Sequence, residues 1–130
     1  MSAGELLNPV SPALISTLVD QLGGLQREVL LLIYTDRAGA FLGDELIPGG
    51  TECSHGLPYR RLFERAFSRG ARGLLLAHNH PSGTPKPSDL DVVSTRGLQA
   101  LARPMEMHVI DHLIVGGRMV FSMRDAGLLI

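Results

Sequence analysis

Hydrophobic positions along the chain fall into blocks with two different spacings. Apolar residues recur at helical spacing from Pro12 to Leu22, which Gly23-Gly24 ends, and again from Pro58 to Arg69. Nearly continuous aliphatic runs occupy Glu28 to Thr35 and Gly73 to His78, a pattern typical of strands that are buried on both faces. The chain is therefore predicted to pack helices against a largely buried sheet.

The segments between these blocks complete the predicted order of elements. Residues 36–39 indicate a hairpin turn before a second strand at 40–47, and a loop rich in Pro, Gly and Ser (79–87) precedes a helix at 89–101. Three short strands are predicted at 105–110, 113–115 and 119–121, then a final helical turn at 122–128, while residues 1–11 read as a loose arm. This order predicts an α/β fold, a mixed sheet flanked by helices.

Composition narrows the class of protein. The 130 residues fit one domain, 45% of them are apolar, and the net charge of −1 gives no general reason to expect nucleic-acid or membrane binding. The single cysteine, Cys53, excludes an intrachain disulfide and fits a reducing cytoplasm. No signal peptide is evident and no apolar run is long enough for a bilayer, so we expect a cytoplasmic protein without membrane association. Pairing of aliphatic strands between subunits, and hence an oligomer, stays open.

Candidate chemistry is concentrated where the second aliphatic run ends. His78 and His80 occupy positions i and i+2 of an extended segment, so their imidazoles point to the same side. After the Pro/Gly loop, Ser88 begins a helix and Asp91 follows in its first turn. Two histidines and one carboxylate, with a fourth position open to water, are typical of catalytic zinc sites.

A hydrolytic site of this kind also needs a proton acceptor. The upstream acidic candidates are Asp44, Glu45 and Glu52, and Glu45 is the best placed, just before the Pro-Gly-Gly end of the second strand. Ser88 and Asp91 also have a purely structural interpretation. Ser88-x-x-Asp91 also matches a helix capping box, a role that Asp91 would not easily combine with metal binding.

Two further residues are open to more than one interpretation. His112, beside Asp111, could support a metal ligand, although local packing or hydrogen bonding at a strand edge is the simpler role. Cys53 has no Cys-x-x-Cys partner and is interpreted as a small loop or core residue.

The spacing His78-x-His80, seven residues, Ser88, two residues, Asp91 resembles the JAMM motif of the JAB/MPN metalloprotease superfamily. The string His78-Asn79-His80-Pro81-Ser82-Gly83 and the segment 111–116 (Asp-His-Leu-Ile-Val-Gly) look like the RadC branch. The resemblance covers about residues 25–130, preceded by an arm and short helix at 1–24.

The resemblance implies a cytidine-deaminase-like architecture and a Zn²⁺ site whose ligands fall on His78, His80 and Asp91. It places on Ser88 the serine that hydrogen-bonds the water or oxyanion, and on Glu45 the catalytic glutamate. Two departures stand out. The helical N-terminal region of many RadC proteins has no counterpart in the first 25 residues, and residues 57–61 (Leu-Pro-Tyr-Arg-Arg) replace a His-Pro-Arg-Glu string.

Two functions follow as hypotheses. The first is a zinc-dependent peptidase or isopeptidase that acts on a peptide or protein substrate, with Glu45 as general base. The alternative is a catalytically silent zinc scaffold associated with DNA repair or nucleic-acid processing. A fourth zinc position closed by Cys53 or His112 would favour the scaffold.

Overall fold

The computed structural model describes residues 1–9, 11–49 and 55–130. Within these residues, five strands form one sheet in the order β2-β1-β3-β4-β5, in which only the β3–β4 pair is parallel. The predicted mixed α/β fold is confirmed. A short 3-10 turn at Arg103–Met105 follows the last helix. In chain order the elements are α1 (Pro12–Leu22), β1 (Val29–Thr35), β2 (Phe41–Pro48), α2 (Tyr59–Ser68), β3 (Gly73–Asn79), α3 (Asp89–Ala102), β4 (His108–Gly116) and β5 (Met119–Ser122).

The helices cover opposite faces of the sheet because the central strands alternate buried side chains between two cores. The α1 core combines Leu14, Leu18 and Leu22 with residues of β1, β3 and β4 such as Leu31 and Leu75. The opposite core combines α2 and α3 with strand residues of the other parity, among them Leu30, Leu32, Leu74, Leu76 and Ile114. Even-numbered residues of β3, including His78, therefore face the α2/α3 side.

Strand direction decides which ends meet. The chain runs antiparallel from β1 to β3, so the start of β1 lies beside the end of β3, where Leu30 is paired with His78. On the other side of β3, the parallel strand β4 places Ile114 opposite His78. Residues of three neighbouring strands thus surround His78 at one end of the sheet.

The structure corrects two expectations. The strands expected at 105–110 and 113–115 are one strand, β4, because Asp111 and His112 are hydrogen-bonded inside it rather than marking a break. The last segment makes the expected single helical turn, since the Ala126 N–H donates to the Ser122 carbonyl at 3.1 Å. The first residues are not a loose arm, since Leu6 forms a β-bridge with Ala40. Among the described residues, no helix combines the length and apolar character needed to cross a membrane.

Candidate metal centre

The two histidines converge at the end of β3, as the i, i+2 spacing predicts. The Nε2 atoms of His78 and His80 lie 2.9 Å apart. His78 is buried, with 4% of its surface exposed, whereas His80 is intermediate and begins the loop that follows the strand. The extended backbone of β3 explains why both rings reach one point.

Asp91 brings a carboxylate to the same point from the first turn of α3. Its Oδ2 lies 3.6 Å from Nε2 of His78 and 3.4 Å from Nε2 of His80. The same oxygen accepts a hydrogen bond from the backbone N–H of Ser88 at 2.8 Å, and the Asp91 N–H donates to Ser88 Oγ at 3.0 Å. The capping box and the approach to the histidines, expected to compete, therefore occur together. The cap holds the carboxylate in place.

A second carboxylate reaches the histidines from the residue just before β1. Glu28 Oε1 lies 3.9 Å from His78 Nε2, and Glu28, His78 and His80 form a group whose ligand atoms all lie within 4.8 Å of one another. Glu28 was not among the acidic residues predicted for the site from the sequence. Its place beside the histidines depends on the antiparallel pairing and register of β1 with β3, which the sequence pattern does not specify.

Asn79 fixes the backbone on both sides of Glu28. Its side-chain amide donates to the Arg27 carbonyl at 2.9 Å, and its Oδ1 accepts from the Val29 N–H at 2.7 Å. Asn79 is itself buried and points to the opposite face from the two histidines that flank it in sequence. The middle residue of the His-x-His string thus holds the segment that carries Glu28.

The structure gives Glu45 different surroundings from those predicted for a general base. Glu45 is paired with Leu32 across β2 and β1, and its carboxylate accepts a hydrogen bond from the Tyr34 hydroxyl. Its other oxygen lies 3.7 Å from Nε of Arg65 in α2. Of the carboxylates in the described part of the chain, Glu28 rather than Glu45 joins the histidines. The register decides this, because Glu45 is two strands away from β3 and level with Leu76.

Two of the other candidate residues, His112 and Asp44, lie within strands of the sheet. His112 lies in the interior of β4, with Nε2 2.6 Å from His78 Nδ1 and Nδ1 2.7 Å from Thr95 Oγ1. Both ring nitrogens are engaged there, so His112 does not occupy a fourth ligand position. Asp44 is paired with Ile33 on β1. Cys53 and Glu52 lie outside the described residues, and the role of Ser88 towards a substrate stays a prediction.

Comparison with known proteins identifies the family. The family model described as the RadC-like JAB domain matches residues 10–128. The chain belongs to this family. A UPF0758 protein of Pseudoalteromonas translucida is 36% identical over 84% of this chain and 49% of its own length. The Escherichia coli UPF0758 protein YfjY is 35% identical over 84% of this chain and 68% of its own, and YeeS is 37% identical over 86% and 76%.

This RadC-like JAB domain spans about half the length of the Pseudoalteromonas relative. The names of these relatives state no activity. The match begins at residue 10 and so includes α1, whose leucines lie in one of the two cores. The boundary between an N-terminal arm at 1–24 and a domain at 25–130 stays a prediction.

The donor set of this RadC-like JAB domain fits a metal ion. His80 Nδ1 lies 3.1 Å from the Thr84 carbonyl, which can only accept, so Nδ1 carries the proton and Nε2 presents a lone pair. That lone pair faces the Asp91 carboxylate oxygen at 3.4 Å. Two acceptors in this position repel unless a cation or an added proton lies between them. Ligand atoms around a tetrahedral zinc are about 3.3 Å apart, from bond lengths of about 2.0–2.1 Å.

Electrostatics favour an ionised Asp91. Burial by itself raises the pKa of its carboxyl, but the neighbouring His78 ring and the hydrogen bonds from Ser88 outweigh it and hold that pKa well below its usual value. Burial, reinforced by the nearby His78, holds the pKa of His112 well below its usual value, so its ring is neutral. The centre therefore offers an ionised carboxylate, the form in which an aspartate binds a metal.

A small cavity of about 40 Å³ adjoins the centre, lined by residues that include Glu28, Leu57, His78, Leu90 and Asp91. Its room corresponds to one or a few water-sized groups. The apolar side chains of Leu57 and Leu90 form part of its wall, while Glu28 and Asp91 provide the polar side. The cavity gives the centre a place where a water or the reacting group of a substrate can lie.

Proposed function

We propose that this RadC-like JAB domain is a zinc-dependent hydrolase that acts on peptide or isopeptide bonds. The observation that carries the proposal is the convergence of two imidazole Nε2 atoms and one carboxylate oxygen at distances of 2.9, 3.4 and 3.6 Å. A second, half-exposed carboxylate, Glu28, lies 3.9 Å from one of these nitrogens. Three protein ligands with an acidic residue at hand are the usual equipment of a hydrolytic zinc site.

His78, His80 and Asp91 would hold the ion. Asp91 suits the part of the carboxylate ligand better than Glu28, because its Oδ2 is near both histidines and is held by the cap of α3. Glu28 Oε1 is near only His78, and 49% of its side-chain surface is exposed. When bound, zinc supplies Lewis acidity, which polarises a carbonyl and lowers the pKa of water to about 7.

Glu28 would act as the general base and later return the proton to the leaving amine. Its position beside the cavity allows its carboxylate to accept a proton from a water held there. Asn79 keeps the Glu28 backbone at a constant distance from the histidines through its bonds on both sides. The Ser88 hydroxyl would donate a hydrogen bond to the developing oxyanion, since its Oγ only accepts in the bond from Asp91 N–H. A donor of this type contributes about 2.7–4 kcal/mol in other enzymes.

The decisive experiment compares Glu28→Gln with Glu45→Gln. Both substitutions remove one negative charge and keep the size of the side chain, and both are measured for zinc content and for turnover of a panel of peptides and isopeptides. We expect E28Q to retain zinc and to lose at least about 100-fold in turnover, as expected when a general base is removed. We expect E45Q to retain both, because Glu45 contacts Tyr34 and Arg65 instead of the histidines.

Two results would contradict the proposal. Equal turnover of E28Q and the wild type would remove Glu28 from the mechanism. A fully zinc-loaded wild type that cleaves none of the panel, but shifts a nucleic acid with steep salt dependence, would favour the silent scaffold instead.

A further inference from the structure

Behind the centre lies a row of buried polar groups that the proposed chemistry does not use directly. His112 in β4 is 1% exposed and Thr95 in α3 is fully buried. His78 Nδ1 is 2.6 Å from His112 Nε2, His112 Nδ1 is 2.7 Å from Thr95 Oγ1, and Thr95 Oγ1 is 2.6 Å from the Asp91 carbonyl. The row thus begins at one candidate ligand and ends on the backbone of another.

The direction of every proton in this row follows from its last member. A carbonyl oxygen can only accept, so the Thr95 hydroxyl proton points to Asp91. Thr95 Oγ1 then has only lone pairs for His112, whose Nδ1 must carry the proton and whose Nε2 must be the acceptor. His78 consequently donates from Nδ1, and its Nε2 is left with a lone pair directed at the metal position.

We propose that His112 and Thr95 are positioning residues that hold His78 in the Nδ1–H tautomer, so that its Nε2 is always ready to bind the metal. The inference rests on the zinc site of the proposed function. Metal-bound histidines usually donate their other ring N–H to a carboxylate, a backbone carbonyl or water. Here the acceptor is a buried imidazole, which sets the tautomer of His78 without adding a negative charge beside the metal position.

The row also links two ligands mechanically. It is anchored on the carbonyl of Asp91, in the same turn of α3 that carries the Asp91 carboxylate. A displacement of this turn would move the third ligand and the support of the first together. His112 further fills a position beside the apolar residues Leu113 and Ile114, where a polar ring without hydrogen bonds would be unfavourable.

The test uses two amides that each imitate one nitrogen of the His112 ring. In His112→Gln, the side-chain oxygen can reach the position of Nε2 and accept from His78, while the bond to Thr95 is lost. In His112→Asn, the amide can take the place of Nδ1 and donate to Thr95, but the shorter side chain does not reach His78. Zinc affinity is measured by competition with a chromogenic chelator, and folding by thermal unfolding of the metal-free protein.

We expect H112N to bind zinc about 10–100-fold more weakly than the wild type, as is common when the outer partner of a ligand is lost. H112Q should lose less than about 10-fold, although both variants lose one buried hydrogen bond. Thr95→Val should weaken binding by a smaller factor than H112N, and Thr95→Ser should restore it. If H112N and H112Q both fold and bind zinc equally tightly, the proposed role of the row is wrong. A residue with only a structural role would not distinguish the two variants.

A measurement on the wild type keeps the inference testable if the variants do not fold. The ¹⁵N chemical shifts of the His78 ring in the metal-free protein at pH 8 report which nitrogen carries the proton. We expect Nδ1 to be protonated and Nε2 to be free, and an Nε2–H tautomer would overturn the proposal. This measurement needs neither zinc nor turnover. An inactive protein would therefore count against the proposed function without contradicting the role of His112 and Thr95.

Discussion

The two histidines at the end of β3 are two residues apart, yet they are held in opposite ways. His78 is buried, and its Nδ1 contacts His112 of β4, which in turn contacts Thr95 of α3. His80 is more exposed, and its outer nitrogen donates to the carbonyl of Thr84 in its own loop. The orientation of His78 thus depends on contacts with residues distant in sequence. The orientation of His80 depends on the next four residues of the chain.

This difference separates stability from metal binding. Removal of the inner ring disturbs packed polar groups that have no access to water, whereas removal of the outer ring affects a position beside solvent. Both rings present Nε2 to the same point, so their contributions to metal binding should be similar.

The largest expected effect comes from replacing each histidine by alanine. Both variants should lose at least about 100-fold in zinc affinity, because a three-ligand site becomes a two-ligand site. In the metal-free protein, His78→Ala should cost about 1–3 kcal/mol of unfolding free energy by leaving His112 without a partner, and His80→Ala should change it by no more than about 0.5 kcal/mol. Urea unfolding in the presence of EDTA measures this, and equal destabilisation by the two variants would contradict the distinction.

A substitution at Gly116 can disturb the position of His80 without a change at His78. A Cβ added there would lie 2.6 Å from the carbonyl carbon of Thr84 and even closer to the backbone N of Pro85. Gly116→Ala should therefore displace the loop that holds His80 and weaken zinc binding by about 10-fold, with about 1–3 kcal/mol of destabilisation from overpacking. Gly24→Ala is the matched control, since its added Cβ would meet nothing within 4 Å. Unchanged zinc affinity in G116A would show that the loop does not position His80.

Asn79 lies between the two histidines and tests whether the Glu28 segment is independent of both. Asn79→Ala removes the bonds to Arg27 and Val29, so Glu28 should shift while His78 and His80 remain on β3 and its loop. We expect turnover to fall by at least about 10-fold, a modest part of the effect of losing a general base, and zinc affinity to change by less than about 3-fold. Steady-state kinetics at saturating zinc provide the comparison. A loss of zinc affinity as large as the loss of turnover would instead make Glu28 a ligand.

The cap that both histidines share through Asp91 should have only a small effect on stability and zinc affinity. Ser88→Ala removes one side-chain acceptor at the start of α3 and should cost about 1 kcal/mol of unfolding free energy. Zinc affinity should fall by only a few-fold, because the backbone N–H of residue 88 still donates to Asp91 Oδ2. Ser88→Thr keeps the cap and serves as control. The proposed role of Ser88 at the oxyanion predicts that S88A loses about 100–1,000-fold in turnover, and a turnover loss no larger than the change in zinc affinity would contradict that role.

Local spacing was enough to predict most of the helices and strands and part of the centre. The period of apolar residues predicted α1 at its observed bounds, and the i, i+2 spacing predicted that His78 and His80 converge. The Ser88-x-x-Asp91 spacing predicted the capping box at the start of α3. These features depend on backbone geometry within a few residues, which the order of residue types already determines.

Strand register determined the rest, and register is a property of the folded sheet. Glu28 meets His78 only because β1 runs antiparallel to β3 with Leu30 opposite His78, an alignment between segments about fifty residues apart. The same register keeps Glu45 with Tyr34 and away from the histidines. His112 looked like a break between two strands, and only the parallel pairing of β4 with β3 turned it into the buried support of His78.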